Sequence, residues 1–241
     1  MREVSNVFYI LKLKNYLLLK YWSLIMMKEL DFDLKDSPFS NFFTSRCSIS
    51  ARINVKNVLN FCNEKNLSFF VLSLGCLLSG LNSVPELRRR ILNGKAIEFD
   101  KLDAIVPIMD KDESVFEEMR VSPPKKSESL KEWHDRVINL RDSILNGNKQ
   151  GFSLEITKRD IEPIGNFSCI PWVDFDTLSN CILEPHQVQP LITWGKVSNN
   201  KMSVAIAFNH IFVYGRQIGH FYDNVQEYFN NPETISKNGN M

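Results

Sequence analysis

The chain has 241 residues, 44% hydrophobic and 24% charged, and a chain of that length buries about 70% of the surface its unfolded form exposes, enough for a core without covalent staples. Its 29 basic and 28 acidic side chains leave a net charge of +1. Disorder, collagen-like repetition and a strongly basic nucleic-acid binder are excluded on those figures, so no nucleic-acid partner is expected.

Residues 1–26, MREVSNVFYILKLKNYLLLKYWSLIM, are apolar and carry Arg2, Lys12, Lys14 and Lys20. They read as an N-terminal extension: a signal anchor, a translated stretch upstream of a start at Met26 or Met27, or a poorly ordered arm. Lys20 splits the apolar run below the roughly 18 residues a membrane span needs, and no small-residue cleavage pattern follows. No membrane association is expected on that basis, and residues 27–241 read as one domain.

Ser37 and Pro38 pattern as a helix start, with a short helix through Phe43. A strand is expected over 46–54 and a helix over 55–65 that turns Val58, Leu59 and Cys62 to one side. Residues 68–82 are apolar nearly all round, which at this length predicts a buried helix. Strands follow at 96–99, 103–108 and 115–121. Pro123 and Pro124 break the chain before a capping box of Ser129 and Glu132, which opens an amphipathic helix with Leu130, Trp133, Val137, Leu140 and Ile144. Further strands are expected at 166–170, 189–196 and 203–208, and a last helix near 216–229. Strands and helices without a regular βαβ alternation argue for an α+β fold.

The chain has no G-x-G-x-x-G, phosphate loop, H-E-x-x-H or G-x-S-x-G, so dinucleotide, P-loop, zincin and α/β-hydrolase chemistries lose support. Five cysteines at 47, 62, 76, 169 and 181 include no C-x-x-C pair; reduced thiols in the cytoplasm and no metal site are expected. Of four histidines, His134 and His220 fall on amphipathic helices as exposed or half-buried residues, and His186 falls in a polar loop. His210 closes an apolar strand, where a rigidly held imidazole is either a satisfied core residue or a base within reach of a substrate hydroxyl. Ser168, on a short strand, either caps its neighbour or donates to an oxyanion. Cys169, beside it, faces the other way by strand alternation. Arg88, Arg89 and Arg90 read as a solvated helix face, and Trp172 and Phe175 as packing.

Taken together the segments resemble the chloramphenicol acetyltransferase family. AIAFNHIFVYGRQIGHFYDNVQEYF at 205–229 matches its late H-H-x-x-x-D-G strand and helix, SCIPWVDF at 168–175 its S-x-x-P-W-x-x-F strand, and PLITWGK at 190–196 its P-x-x-T-x-x-K strand. PELRRRILNG at 85–94 and KDSPFSNFF at 35–43 complete an order that holds from about residue 31 to 230. The resemblance implies a two-layer α+β architecture, a mixed sheet with helices packed on one side. It implies acetyl-CoA as co-substrate, a small hydroxyl acceptor, and a homotrimer whose sites combine His210 of one chain with a pocket wall of its neighbour. It puts the general base on His210, the oxyanion donor on Ser168 and a residue that helps hydrate the oxyanion on Thr193. Lys196 becomes a candidate for a CoA phosphate and Phe42, in place of the family tyrosine, for the acceptor pocket. Asn209 replaces the first histidine of the pair, and Tyr214 and Lys35 replace the family's aspartate and arginine, so both ends of that ion pair have changed. Rivals to this reading are a catalytically weak or inactive trimeric binding protein and a dihydrolipoyl acyltransferase core, the latter weakened by the lack of a lipoyl-bearing or linker region.

Overall fold

In the computed structural model, residues 27–110, 112–113, 116–148, 150, 162–181 and 184–237 are described; the N-terminal extension lies outside them. The central element is β9 (Lys201–Asn209), whose even positions Met202, Val204, Ile206 and Phe208 join the apolar core while Ser203, Ala205, Ala207 and Asn209 face the other way. It pairs antiparallel on one side with β2 (Arg46–Asn54), from Arg46 opposite Asn209 to Asn54 opposite Lys201. On the other side it pairs with β8 (Leu191–Ser198). The β8–β9 hairpin turns on Asn199 and Asn200, both at positive φ (50° and 59°), the left-handed pair that a two-residue hairpin demands and asparagine tolerates. The sheet continues through β7 (Ile164–Cys169), β5 (Asp103–Met109) and β6 (Phe116–Val121) in the order β2-β9-β8-β7-β5-β6. β7 runs parallel to both of its neighbours, which makes the sheet mixed.

The helices cover the face bearing Val204, Ile206, Phe208, Ile192 and Trp194. The all-apolar segment forms α2 (Phe69–Asn82), following α1 (Lys56–Lys65); Ser68 caps α2 by accepting from the Val71 N–H. α3 (Leu130–Leu145) opens with the expected capping box: the Ser129 N–H donates to Glu132 Oε2 at 2.8 Å and the Glu132 N–H to Ser129 Oγ at 3.2 Å. α4 (Gly215–Asn230) buries Ile218, Phe221, Val225 and Phe229, and a short α5 (Thr234–Lys237) follows. Gly80 lets α2 and α4 meet: a Cβ there would stand 2.3 Å from Val225 Cγ2.

A second sheet, β1 (Met27–Glu29), β4 (Lys95–Phe99) and β3 (Arg89–Leu92), is absent from the sequence expectations apart from β4. It corrects the reading of Arg88–Arg90 as a solvated helix face. Arg90 is fully buried and donates to the Leu87 and Ile164 carbonyls, while Arg89 and Lys28 pair with Glu98 at 3.1 and 3.0 Å. Burial pushes the Glu98 carboxyl up, but the hydrogen bonds from Lys28 and Arg89 outweigh it and hold the group below its ordinary value. His134 is likewise buried: its Nε2 accepts the Ser68 N–H at 2.9 Å, tying α3 to the start of α2. The expected opening helix is two 3₁₀ turns, Leu34–Asp36 and Pro38–Asn41, too short for i to i+4 bonds, and Ser37 Oγ caps nothing and is buried without a partner.

Candidate active site

The sheet face turned away from the helices carries small and polar side chains in one row. Ser168 on β7 stands opposite Thr193 on β8, and Thr193 opposite Ala205 on β9. This face is roofed by residues 170–181, in the connection between β7 and β8. Ser203 Oγ donates to the Phe175 carbonyl, the Lys196 N–H to the Val173 carbonyl at 2.8 Å, and the Thr193 hydroxyl to Asn180 Oδ1 at 3.1 Å. Arg52 clamps the start of the roof through Asp174 (2.7 Å) and Asp176 (2.8 Å). The roof lies so close that a Cβ on Gly195 would stand 2.6 Å from the Val173 oxygen and 2.8 Å from the Phe175 ring, which explains a glycine at the bulge between Trp194 and Val197. Thr193 is 2% exposed; Ser168 is half-buried, and its hydroxyl has no hydrogen-bond partner among the described residues.

Cys169 packs toward the core, and burial pushes its thiol up to about 12, far from the range of a nucleophilic thiolate. Phe175 is buried as expected, whereas Trp172 is 63% exposed and packs against little, because the roof begins by leading it out into solvent. Lys196, at the bulge, is exposed and makes no ion pair among the described residues.

His210 sits at the far end of β9. Its imidazole lies flat on Phe39, centroids 3.8 Å apart and planes within 11°, and meets Tyr214 edge-on at 5.4 Å. Its Nδ1 is buried without a hydrogen-bond partner, so ring contacts hold the imidazole. Phe39 was not expected as a site residue; the motif resemblance pointed to Phe42, which touches Phe39 edge-on at 5.3 Å and is 56% exposed.

The segment carrying His210 is pinned by the backbone and by Asn209. The His210 N–H donates to the Ser45 carbonyl at 2.7 Å, and Ser45 Oγ meets His186 Nδ1 at 2.9 Å. Asn209, 1% exposed, accepts the Ile211 N–H at 2.8 Å and donates through Nδ2 to the His186 and Gln187 carbonyls at 2.9 and 3.3 Å. Tyr214 precedes α4, and its N–H donates to Gln217 Oε1 at 3.2 Å; Lys35 is exposed, its N–H donating to Asp33. With no charge at position 214, the anchoring of this segment rests on the Asn209 amide and three buried residues, Ile211, Phe212 and Val213.

Ser168 and Thr193 are thus neighbours, but His210 is not near them within one chain. Five residues of β9 and two strand spacings separate His210 from Ser168, a distance of about 19 Å between Cα atoms.

The family model described as chloramphenicol acetyltransferase matches residues 32–226. The chain belongs to the chloramphenicol acetyltransferase family. A solved chloramphenicol acetyltransferase superposes with a TM-score of 0.69 at 20% identity, covering 85% of this chain and 100% of that one. The cubic core of the pyruvate dehydrogenase multienzyme complex gives 0.57 at 11% identity, covering 84% of this chain and 87% of that one. A probable dihydrolipoamide acetyltransferase from Listeria monocytogenes gives 0.53 at 14%, covering 89% and 97%. At these identities the likeness to the solved structures is one of fold. No curated protein matches the chain in sequence. Within the chloramphenicol acetyltransferase fold, the mixed sheet with helices on one face is as expected. No helix among the described residues is long and apolar enough to cross a membrane.

Proposed function

We propose that the protein is an acetyl-CoA-dependent O-acetyltransferase acting on a hydroxyl of chloramphenicol or a related small acceptor, with its active sites between copies of the chain in a trimer. His210 takes the proton from the acceptor hydroxyl as its oxygen attacks the thioester carbonyl. Ser168 donates to the oxyanion that forms, an interaction of about 3 kcal/mol by comparison with single oxyanion-hole donors, and Thr193 hydrates it. Collapse of the intermediate breaks the carbon–sulfur bond, and the departing CoA thiolate takes the proton back from the imidazolium. No bond between acetyl and protein is required.

The observation that carries this reading is the Ser168–Thr193 pair, in register on the face away from the helices, with an unpartnered hydroxyl on Ser168. The separation of about 19 Å from His210, reckoned from strand spacing, supports completion of the site by a second chain. Phe42 beside the Phe39–His210 stack supports an apolar wall for the acceptor, and exposed Lys196 at the bulge supports a contact with a CoA phosphate. Five unpaired cysteines, with acetyl-CoA as co-substrate, favour a cytoplasmic location.

The test is release of CoA thiol from acetyl-CoA by the protein and by His210→Ala, with chloramphenicol and a panel of benzylic and alkyl alcohols as acceptors. Chloramphenicol-dependent release lost in the variant supports antibiotic modification; release with another alcohol keeps the mechanism and replaces the acceptor. CoA binding without release above the variant's background overturns the enzyme reading in favour of the inactive binder. Light scattering on the same samples reads the oligomeric state, and an active monomer refutes the shared site.

A further inference from the structure

The roof brings one side chain to the hydroxyl row that motif matching does not single out. Asn180 Oδ1 accepts the Thr193 hydroxyl proton at 3.1 Å, while its Nδ2 is buried with no partner among the described residues. A residue present only to pin the roof would satisfy both ends of its amide, since buried unpaired donors are rare and concentrate where a site is incomplete. A threonine hydroxyl has one proton. With that proton directed at Asn180, Thr193 offers only lone pairs toward Ser168, whose Cα stands roughly 5 Å away across the parallel pair. An acceptor-only hydroxyl repels an oxyanion placed directly against it. It can assist only by accepting one hydrogen of a water whose other hydrogen points at the oxyanion.

We propose that Asn180 is a positioning residue for acetyl transfer, holding the Thr193 proton so that Thr193 orients a water toward the oxyanion beside Ser168. The inference rests on the roles given above to Ser168 and Thr193, and it adds that Asn180 acts through Thr193 without touching either substrate. Its consequence is a cost in turnover rather than in substrate binding, because the water's contact strengthens only as charge develops on the carbonyl oxygen.

The experiment is a double-mutant cycle of Asn180→Ala and Thr193→Val, read by CoA thiol release with whichever acceptor of the panel turns over, with Asn180→Leu as a second, volume-filling variant. Each single variant is expected to lower kcat about tenfold, the upper end of what one hydrogen bond carries, with KM for acetyl-CoA within about twofold. The double variant is expected to be no slower than Thr193→Val alone, since one group acts through the other. Losses that multiply in the double variant, a loss confined to KM, or full activity in both Asn180 variants overturns the inference and leaves the transferase reading intact. A wild-type protein that binds CoA and turns over no acceptor overturns both.

Discussion

Asn209→Ala tests whether an amide has taken over the anchoring of the His210 segment. The substitution removes three hydrogen bonds, but their consequences differ. The Gln187 carbonyl keeps its bond from Arg46, so it is not orphaned. The His186 carbonyl loses its donor next to a half-buried side chain, where water can partly replace it. The Ile211 N–H is left in the core with nothing to bond. One orphaned buried donor costs about 1–3 kcal/mol and one ordinary bond about 1 kcal/mol, for a total of about 2–4 kcal/mol. For a chain of this size that lowers the unfolding midpoint by roughly 5–15 °C. Urea unfolding followed by tryptophan fluorescence, at one fixed protein concentration so that any oligomer contributes equally, measures it. Asn209→Asp should be at least as damaging, because it keeps the acceptor for Ile211 but turns an oxygen toward the two carbonyls. A loss below 1 kcal/mol for alanine, or an aspartate variant as stable as the wild type, refutes the argument.

Phe39→Leu removes the ring face under His210 and should lower kcat about three- to tenfold, with stability changed by less than about 1 kcal/mol, since an aromatic pair adds about that much and Phe39 is only half-buried; steady-state rates beside a thermal melt separate the two. Gly195→Ala drives a Cβ into the Val173 carbonyl and should cost about 1–3 kcal/mol and displace the roof, seen as lost stability together with lost thiol release. Glu98 has a carboxyl value lowered in the folded state, so its contribution is complete above about pH 4.3 and disappears as pH falls through the folded value; Glu98→Gln should flatten the acid limb of stability measured from pH 6 to 3. At pH 8 iodoacetamide should label the exposed Cys181 first and leave Cys169 unmodified in the folded protein, and Cys169→Ser should retain activity that Ser168→Ala loses, as mass mapping and rates will show.

Long periodic segments were readable because their signal lies within the segment. The all-round apolar run became α2, and the Ser129–Glu132 box opened α3 one residue later. The strands at Ser168 and Thr193 were also legible, but the parallel register that pairs the two hydroxyls was not, since it joins segments more than twenty residues apart. What escaped was set by contacts distant in sequence. β3 and β4 join through Asn93 and Gly94, both at positive φ, a hairpin signal present in the sequence, but three short strands gain stability only by pairing with one another. The three arginines looked like a solvated run because burial of Arg90 depends on the Ile164 carbonyl, far along the chain. Phe39, stacked on His210 beside Phe42, was not singled out, since where a 3₁₀ turn points each side chain depends on its docking against β9. Asn209, marked in the sequence only as a replacement for the first histidine of the pair, is a structural centre, and only its polarity at the end of an apolar strand hinted at it. Asn180 had no sequence signal at all, lying in an irregular segment fixed by the sheet beneath.

The distance between His210 and Ser168 bears on inheritance as well as on chemistry. Where every catalytic pair is drawn from two chains, a chain lacking His210 and a chain lacking Ser168 are each inactive alone but repair one another when they assemble together. In a random equal mixture, about a quarter of the interfaces join an intact histidine to an intact serine, and this fraction is the same for any closed ring. Both lesions placed on one chain, mixed with chains carrying the same two, restore nothing. Two defective copies of the coding sequence expressed in one cell would therefore complement each other, while a single copy bearing one defect would poison part of each assembly it entered.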